Sequence, residues 1–356
     1  MSGTLHPVVV DRWQKTVFRF CCLILLASLS IEVLAADRVL PGQVMLSKPP
    51  GQNSEPTEIE IGVFLLDLDE IDDVRQRFSV DMFIVAHWQD TRLALPEAEK
   101  TGQIRFMSMD EVWTPKIMIL NDRGLKAHLR EGVEVDDMGK VSFQNRLSGE
   151  LAANLEFQEF PFDLQRLPIE LVSYENTTDE LQFTAHPLLV NPEGGFSIEG
   201  WKLKQLEPEV GVFLVPGAGT ALPRLTYVIE AERDSDYYAL TMLVPMSLII
   251  FMAWTVFWLQ PNIVPPRIAI STASIFSLIA LGVSIRLGLP KISYLTKADI
   301  FVLGCTLMVF IALGVAVIGS RWANSDRMEQ ALKANAIARW VYAFMFFFVA
   351  LAAFMH

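Results

Sequence analysis

A β-sandwich followed by a four-helix membrane bundle is the fold class this sequence predicts, on three observations. Of its 356 residues 52% are apolar, and the mean hydropathy of +0.34 is too high for an ordinary soluble chain. Charge is divided unevenly: residues 36–236 hold 36 acidic and 18 basic side chains, whereas residues 237–356 hold 3 and 8. The acidic part alternates apolar and polar residues with period two, and the basic part carries four apolar runs long enough to cross a bilayer.

At the N-terminus, Arg12, Lys15 and Arg19 precede an apolar run over 20–29. Val33-Leu34-Ala35 then suits cleavage after Ala35, so 1–35 reads as a secretory signal and the sandwich as exported. Cleavage removes Cys21 and Cys22 and leaves Cys305, which excludes a disulfide-stapled scaffold and any multi-cysteine metal site. Residues 36–57, rich in Pro, Gly, Ser and Gln, read as a flexible lead-in. From 58 to 236, nine or ten short strands are expected, with loops at 191–195 and 216–219. The membrane domain, 237–356, is expected to hold helices at about 238–259, 267–287, 298–320 and 336–354. An even number returns the C-terminus to the side of the sandwich. Arg321, Arg327 and Lys333 in the last connection mark the inner side of the membrane.

The second apolar run differs from the others. Arg267 and Arg286 bracket it, nineteen helical steps or about 28 Å apart, close to the thickness of a hydrocarbon core. At helical spacing Arg267, Ala269, Ala273, Phe276, Ala280 and Val283 form a face of mostly small side chains. Small residues serve close helix packing. Equally, several copies around an axis would line a water-filled pore with that face. Charged residues also gather at the boundary between the halves. Asp69, Glu70, Asp72 and Asp73 crowd a turn between the first two strands, Asp163 lies between apolar segments, and Arg233 directly precedes the first membrane helix. Asp163 and Arg233 are either a charge-assisted pair or two solvated charges. No nucleophile elbow, Walker loop, HExxH or metal-ligand cluster is present, so no enzyme, cofactor, metal or nucleic-acid function is expected.

Several short motifs occur in order: Trp88-Gln89-Asp90, Trp113-Thr114-Pro115, Phe160-Pro161-Phe162-Asp163 with Gln165, Arg233 twelve residues before Pro245, Trp254 with Trp258, and Leu289-Pro290-Lys291 with Ser293-Tyr294. Together they resemble the pentameric ligand-gated ion channels, or Cys-loop receptors. Ala153 and Leu167, where the animal receptors carry cysteines, are the bacterial pattern. The resemblance implies an immunoglobulin-like sandwich, a homopentamer around a central pore, and a bacterial inner-membrane location with the sandwich and C-terminus outside. It implies a pore for monovalent ions lined by Arg267, Ala269, Ala273, Phe276, Ala280, Val283 and Arg286, with Phe276 where the family usually has leucine. Asp72, Asp73, Asp163, Arg233, Pro290 and Tyr294 fall at its coupling interface, and Phe83, Asn121, Tyr174 and Phe213 in its agonist site. Leu120 departs from the aromatic expected in that site. The trigger is a small-molecule agonist or protons, His87 and His186 being titratable groups of the sandwich. The inner mouth, 264–267, lacks an acid, and with Arg267 and Arg286 this favours anions over cations. Beyond itself and its ions, the chain's expected partner is membrane lipid. The alternative is a non-conducting, membrane-anchored ligand-binding receptor.

Overall fold

The computed structural model describes residues 48–51, 55–190, 196–205 and 207–354; the expected signal, most of the lead-in and the loop at 191–195 lie outside the described residues. Two sheets form the first part. One contains β1 (Thr57–Asp72), β2 (Arg77–Gln89), β3 (Arg105–Met107), β5 (Lys126–Ala127), β6 (Val133–Val135), β7 (Lys140–Ala152), β9 (Leu181–Ala185) and β10 (Leu189–Val190), with the order β10-β1-β2-β7-β6-β3. The other contains β4 (Ile117–Ile119), β8 (Leu164–Ser173), β11 (Trp201–Gln205), β12 (Glu209–Leu214) and β13 (Ala221–Arg233), ordered β11-β13-β8-β4 with β12 also on β13.

Period two explains the core, because successive side chains of a strand point to opposite faces. Phe78, Val80, Met82, Ile84, Ala86 and Trp88 are buried along β2, and Leu225, Tyr227, Ile229 and Ala231 along β13. The Tyr227 hydroxyl donates to the Ile61 carbonyl at 2.8 Å and to the His186 carbonyl at 3.0 Å, tying β13 to β1 in the other sheet. Of the thirteen strands, the sequence reading misses β5, β6, β10 and β12. Three of these have two or three residues, too few to show alternation, and β12 lies in the stretch between the expected strand at 201–207 and the expected loop at 216–219, to which the sequence reading gives no element.

Four helices follow: α1 (Ser235–Trp258), α2 (Val264–Leu287), α3 (Lys297–Ala323) and α4 (Met328–Phe354). Pro245 has no N–H to give the preceding turn, and α1 takes a π-helical turn over Ala239–Leu243 just before it. A second irregularity, a 3-10 turn over Thr255–Trp258, closes the helix. One bound differs widely from expectation, the start of α4, and the others fall within three residues. α2 starts three residues early because Pro265 and Pro266 are tolerated in a first turn. α4 starts at Met328 rather than 336, because hydropathy marks only the apolar part of a helix. Its polar first turns hold a Glu329–Lys333 pair at 2.7 Å, so the expected connection 321–335 shrinks to 324–327. Thr296 caps α3 in a reciprocal box with Asp299.

α3 is the buried centre of the bundle through Phe301, Cys305, Met308, Ala312 and Ala316. Two of the other helices expose different faces. α4 presents Trp340, Phe344, Phe347 and Phe348, while α2 presents Ala269, Ala273 and Ala280 around Phe276, beside Ile268, Ile279, Val283 and Leu287.

Candidate pore and coupling interface

Arg233 ends β13 and is 5% exposed. Its guanidinium grips two carboxylates: Nε and Nη2 donate to Asp163 at 2.9 and 3.1 Å, and Nη1 and Nη2 donate to Asp73 at 2.9 and 3.0 Å. The ring faces of Trp201, Phe160 and Tyr238 lie 4.2, 5.2 and 5.6 Å from its carbon. Burial alone would lower the Arg233 pKa, but the bonds from Asp73 and Asp163 outweigh it and hold it above the ordinary value. Asp73 goes the other way. Burial raises its carboxyl above the usual range even though Arg233 opposes this, because Asp163 and Asp72 add negative charge nearby. Of the two alternatives left open for Asp163 and Arg233 the structure has the pair, Asp73 joins it from the acidic turn, and Trp201 is a third neighbour that sequence reasoning missed. It sits opposite Arg233 in the β11–β13 ladder, a register that no spacing reveals.

The loop preceding β8 reaches onto the membrane helices. Phe157 N–H donates to the Tyr294 hydroxyl at 3.0 Å, and the Gln158 and Phe160 carbonyls accept from Lys297 and Ala298 at the start of α3. Glu159 pairs with Lys297, and Phe162 packs edge-on against Phe354 at the end of α4 with ring centres 5.6 Å apart. Tyr294 is thus in contact with the sandwich as expected. Pro290 instead lines a cavity of about 410 Å³ with Arg286, Lys291 and Tyr294. Asp72 does not join the Arg233 cluster. It caps its own turn, accepting from Arg75 N–H at 2.8 Å, because it is the last residue of β1.

On α2, Ala269, Ala273, Phe276, Ala280 and Val283 are all exposed in the single chain, Phe276 at 68%. Arg267 departs from the expectation: it is 0% exposed, in one stripe with the buried Ser271, Ser274, Leu278 and Gly282. Ala269 lies two residues on, about 200° around the helix, so the two cannot share a face. Arg267 Nη2 donates to Asn335 Oδ1 at 2.8 Å, while its Nε and Nη1 have no partner among the described residues. Arg286 is exposed, but its Nε donates to Asp299 at 3.0 Å, so its charge is offset.

The expected agonist residues divide between the sheets. Phe83 is half-buried on β2, whereas exposed Tyr174 follows β8 and half-buried Phe213 lies on β12. Asn121 is committed elsewhere. Its amide donates to the Ala152 and Pro168 carbonyls, both at 2.8 Å, and its oxygen accepts from Glu170 N–H, so it fastens strands. His186 meets Glu60 at 2.7 Å and His87 meets Ser142 at 2.9 Å. Among the described residues no three His, Cys, Asp or Glu side chains converge as metal ligands would.

Comparison with known proteins bears on this arrangement directly. Residues 38–207 match the neurotransmitter-gated ion-channel ligand binding domain, and residues 242–347 match the neurotransmitter-gated ion-channel transmembrane region. The chain belongs to the neurotransmitter-gated ion-channel family. Members of this family are pentameric, and the chain is a multi-pass membrane protein. It is 26% identical over 335 residues to a gamma-aminobutyric acid receptor subunit beta of Caenorhabditis elegans, covering 86% of this chain and 60% of that protein. It is 25% identical over 277 residues to a proton-gated ion channel of Gloeobacter violaceus, covering 76% and 75%. Arg233 lies in the stretch between the two matched segments, and its partners Asp73 and Asp163 lie in the first.

Proposed function

We propose that five copies of this chain assemble around α2 into a channel for monovalent ions, set in a bacterial inner membrane with the sandwich outside. The carrying observation is the exposed face of Ala269, Ala273, Phe276, Ala280 and Val283, which lipid would give no reason to keep small. Five Phe276 rings form the hydrophobic constriction that stops ions by dewetting. Asp73, Asp163, Arg233 and Tyr294 transmit movement of the sandwich to the helices. A non-conducting receptor would need only an anchor, and a small-residue face on α2 would serve no purpose in it.

Anions are the preferred ions, for a reason that the burial of Arg267 changes. The arginine lies behind the pore wall rather than on it, but no carboxylate among the described residues neutralises it. Five such charges near the N-terminal ends of five pore helices make the inner mouth positive, and low-dielectric walls focus that field. Arg286, offset by Asp299, contributes little.

Two triggers have support. Phe213 lies on the sheet that Tyr174 follows and Phe83 on the other, and a small amine agonist would be boxed by their ring faces between adjacent protomers. Protons act on Asp73, whose carboxyl burial holds above the usual carboxylate range. Reconstitution in a planar bilayer under a NaCl gradient, with pH and small amines scanned separately, tests all three points. Current near the chloride equilibrium potential supports the reading, silence under every condition refutes the channel, and a sodium-like reversal potential refutes the selectivity.

A further inference from the structure

The side chain that holds Arg267 comes from α4, the helix that turns its large aromatic residues outward. Asn335 is 2% exposed and uses both ends of its amide. Its oxygen takes Arg267 Nη2 at 2.8 Å, and its nitrogen donates at 3.2 Å to the Leu259 carbonyl at the exit of α1. The third helix makes room. A Cβ at Gly319 would lie 3.5 Å from Arg267 Nη1 and 3.8 Å from Asn335 Oδ1. Residues of α3 and α4 thus enclose the guanidinium that α2 supplies, and the exit of α1 holds the asparagine in place. The charged groups of α4 nearby are engaged elsewhere: Glu329 pairs with Lys333, and Arg339 donates to the Phe257 carbonyl.

A buried arginine is ordinarily paired with a carboxylate, because an unpaired charge away from water is costly. Here the partner is an amide, nearly the same shape as aspartate but without its charge. We infer that Asn335 is a selectivity-determining residue of the channel: it fixes the direction of the Arg267 guanidinium while leaving its positive charge available to the inner mouth. Acting through Arg267, it is a positioning residue on the helix farthest in sequence from the pore. The inference rests on the proposed channel, but the variant that tests it is read separately from wild-type selectivity.

The substitution is Asn335→Asp in the full chain, which keeps the acceptor for Arg267 and adds a neutralising charge. Reversal potentials are recorded under a NaCl gradient. The chloride-to-sodium permeability ratio is expected to fall severalfold, with channel abundance in the membrane unchanged. A loss of helix packing would alter abundance and open time, not this ratio. Asn335→Asp channels with the wild-type ratio overturn the inference. Should wild type itself reverse at the sodium potential, the anion reading of the channel falls; the inference then requires Asn335→Asp to raise single-channel sodium conductance, and unchanged conductance overturns it. If Asn335→Asp subunits do not assemble alone, co-expression with wild-type subunits gives mixed channels. A graded shift with the mutant fraction supports the inference, and a constant ratio overturns it.

Discussion

Two arginines are buried among the described residues, and their surroundings are opposite. Arg233 lies among Asp73, Asp163 and three aromatic rings, so every charge on it is answered. Arg267, enclosed even more completely, faces an asparagine, and two of its nitrogens have no described partner. A neutralised charge is silent at a distance and serves to hold parts together. An unneutralised one holds less firmly but acts on ions that never touch it. The first sits where the sandwich meets the helices and the second at the remote end of α2, and in the proposed channel that separation divides coupling from permeation.

The most damaging way to break this contrast is Arg233→Ala. It strands the buried Asp163 and the half-buried Asp73, at a cost of about 3–5 kcal/mol, and the expected outcome is loss of assembled pentamer on native electrophoresis or loss of gating in assembled protein. Normal expression together with normal gating would show that the cluster does not couple. Phe276→Ala should come next, producing leak current at rest, since removing five rings wets the constriction; an unchanged closed state would count against the gate.

Asp73→Asn sharpens the comparison by removing one of the two answering charges without removing the contact. The sign follows from the direction of the shift. With its pKa raised above the ordinary 3.8 in the fold, Asp73 contributes stability that is present below 3.8 and lost as pH rises through the raised value. Thermal stability should therefore fall with rising pH across that window in wild type, and the variant should flatten this part of the profile; an identical profile would show that Asp73 does not titrate there. Smaller still is Tyr294→Phe, which removes the acceptor for Phe157 N–H and should cost about 1 kcal/mol, read as a modest shift in the agonist or proton midpoint. An unmoved midpoint would remove Tyr294 from the coupling path.

The residues differ in how much of this was legible beforehand. Long alternating segments such as β2 and β13 announce themselves, as do the four apolar helices, because burial on one face or all faces leaves a pattern in one dimension. Asp163 and Arg233 were readable as a pair because each lies at the edge of its domain. Arg267 was misplaced by a fifth of a heptad's logic: its true companions, Ser271, Ser274, Leu278 and Gly282, stand at spacings of three and four, while Ala269 does not. Asn335 was invisible, since nothing local marks an asparagine that meets a residue 68 positions away. Trp201 and Asn121 went astray for the same reason, their partners being set by strand register.

The contact between Phe162 and Phe354 has a mechanical consequence. α4 runs 27 residues, about 40 Å, through a hydrocarbon layer of about 30 Å. Near its first turns Asn335 and Arg339 fasten it to α2 and to the exit of α1, and at its last turn Phe354 meets the sandwich's own loop. A helix pinned at both ends cannot tilt freely to suit its bilayer, so thinner or thicker lipid loads the two pins in tension or compression. Reconstitution across lipids of graded chain length reads that load as a change in open probability, and a response flat with thickness would mean that the pins slip.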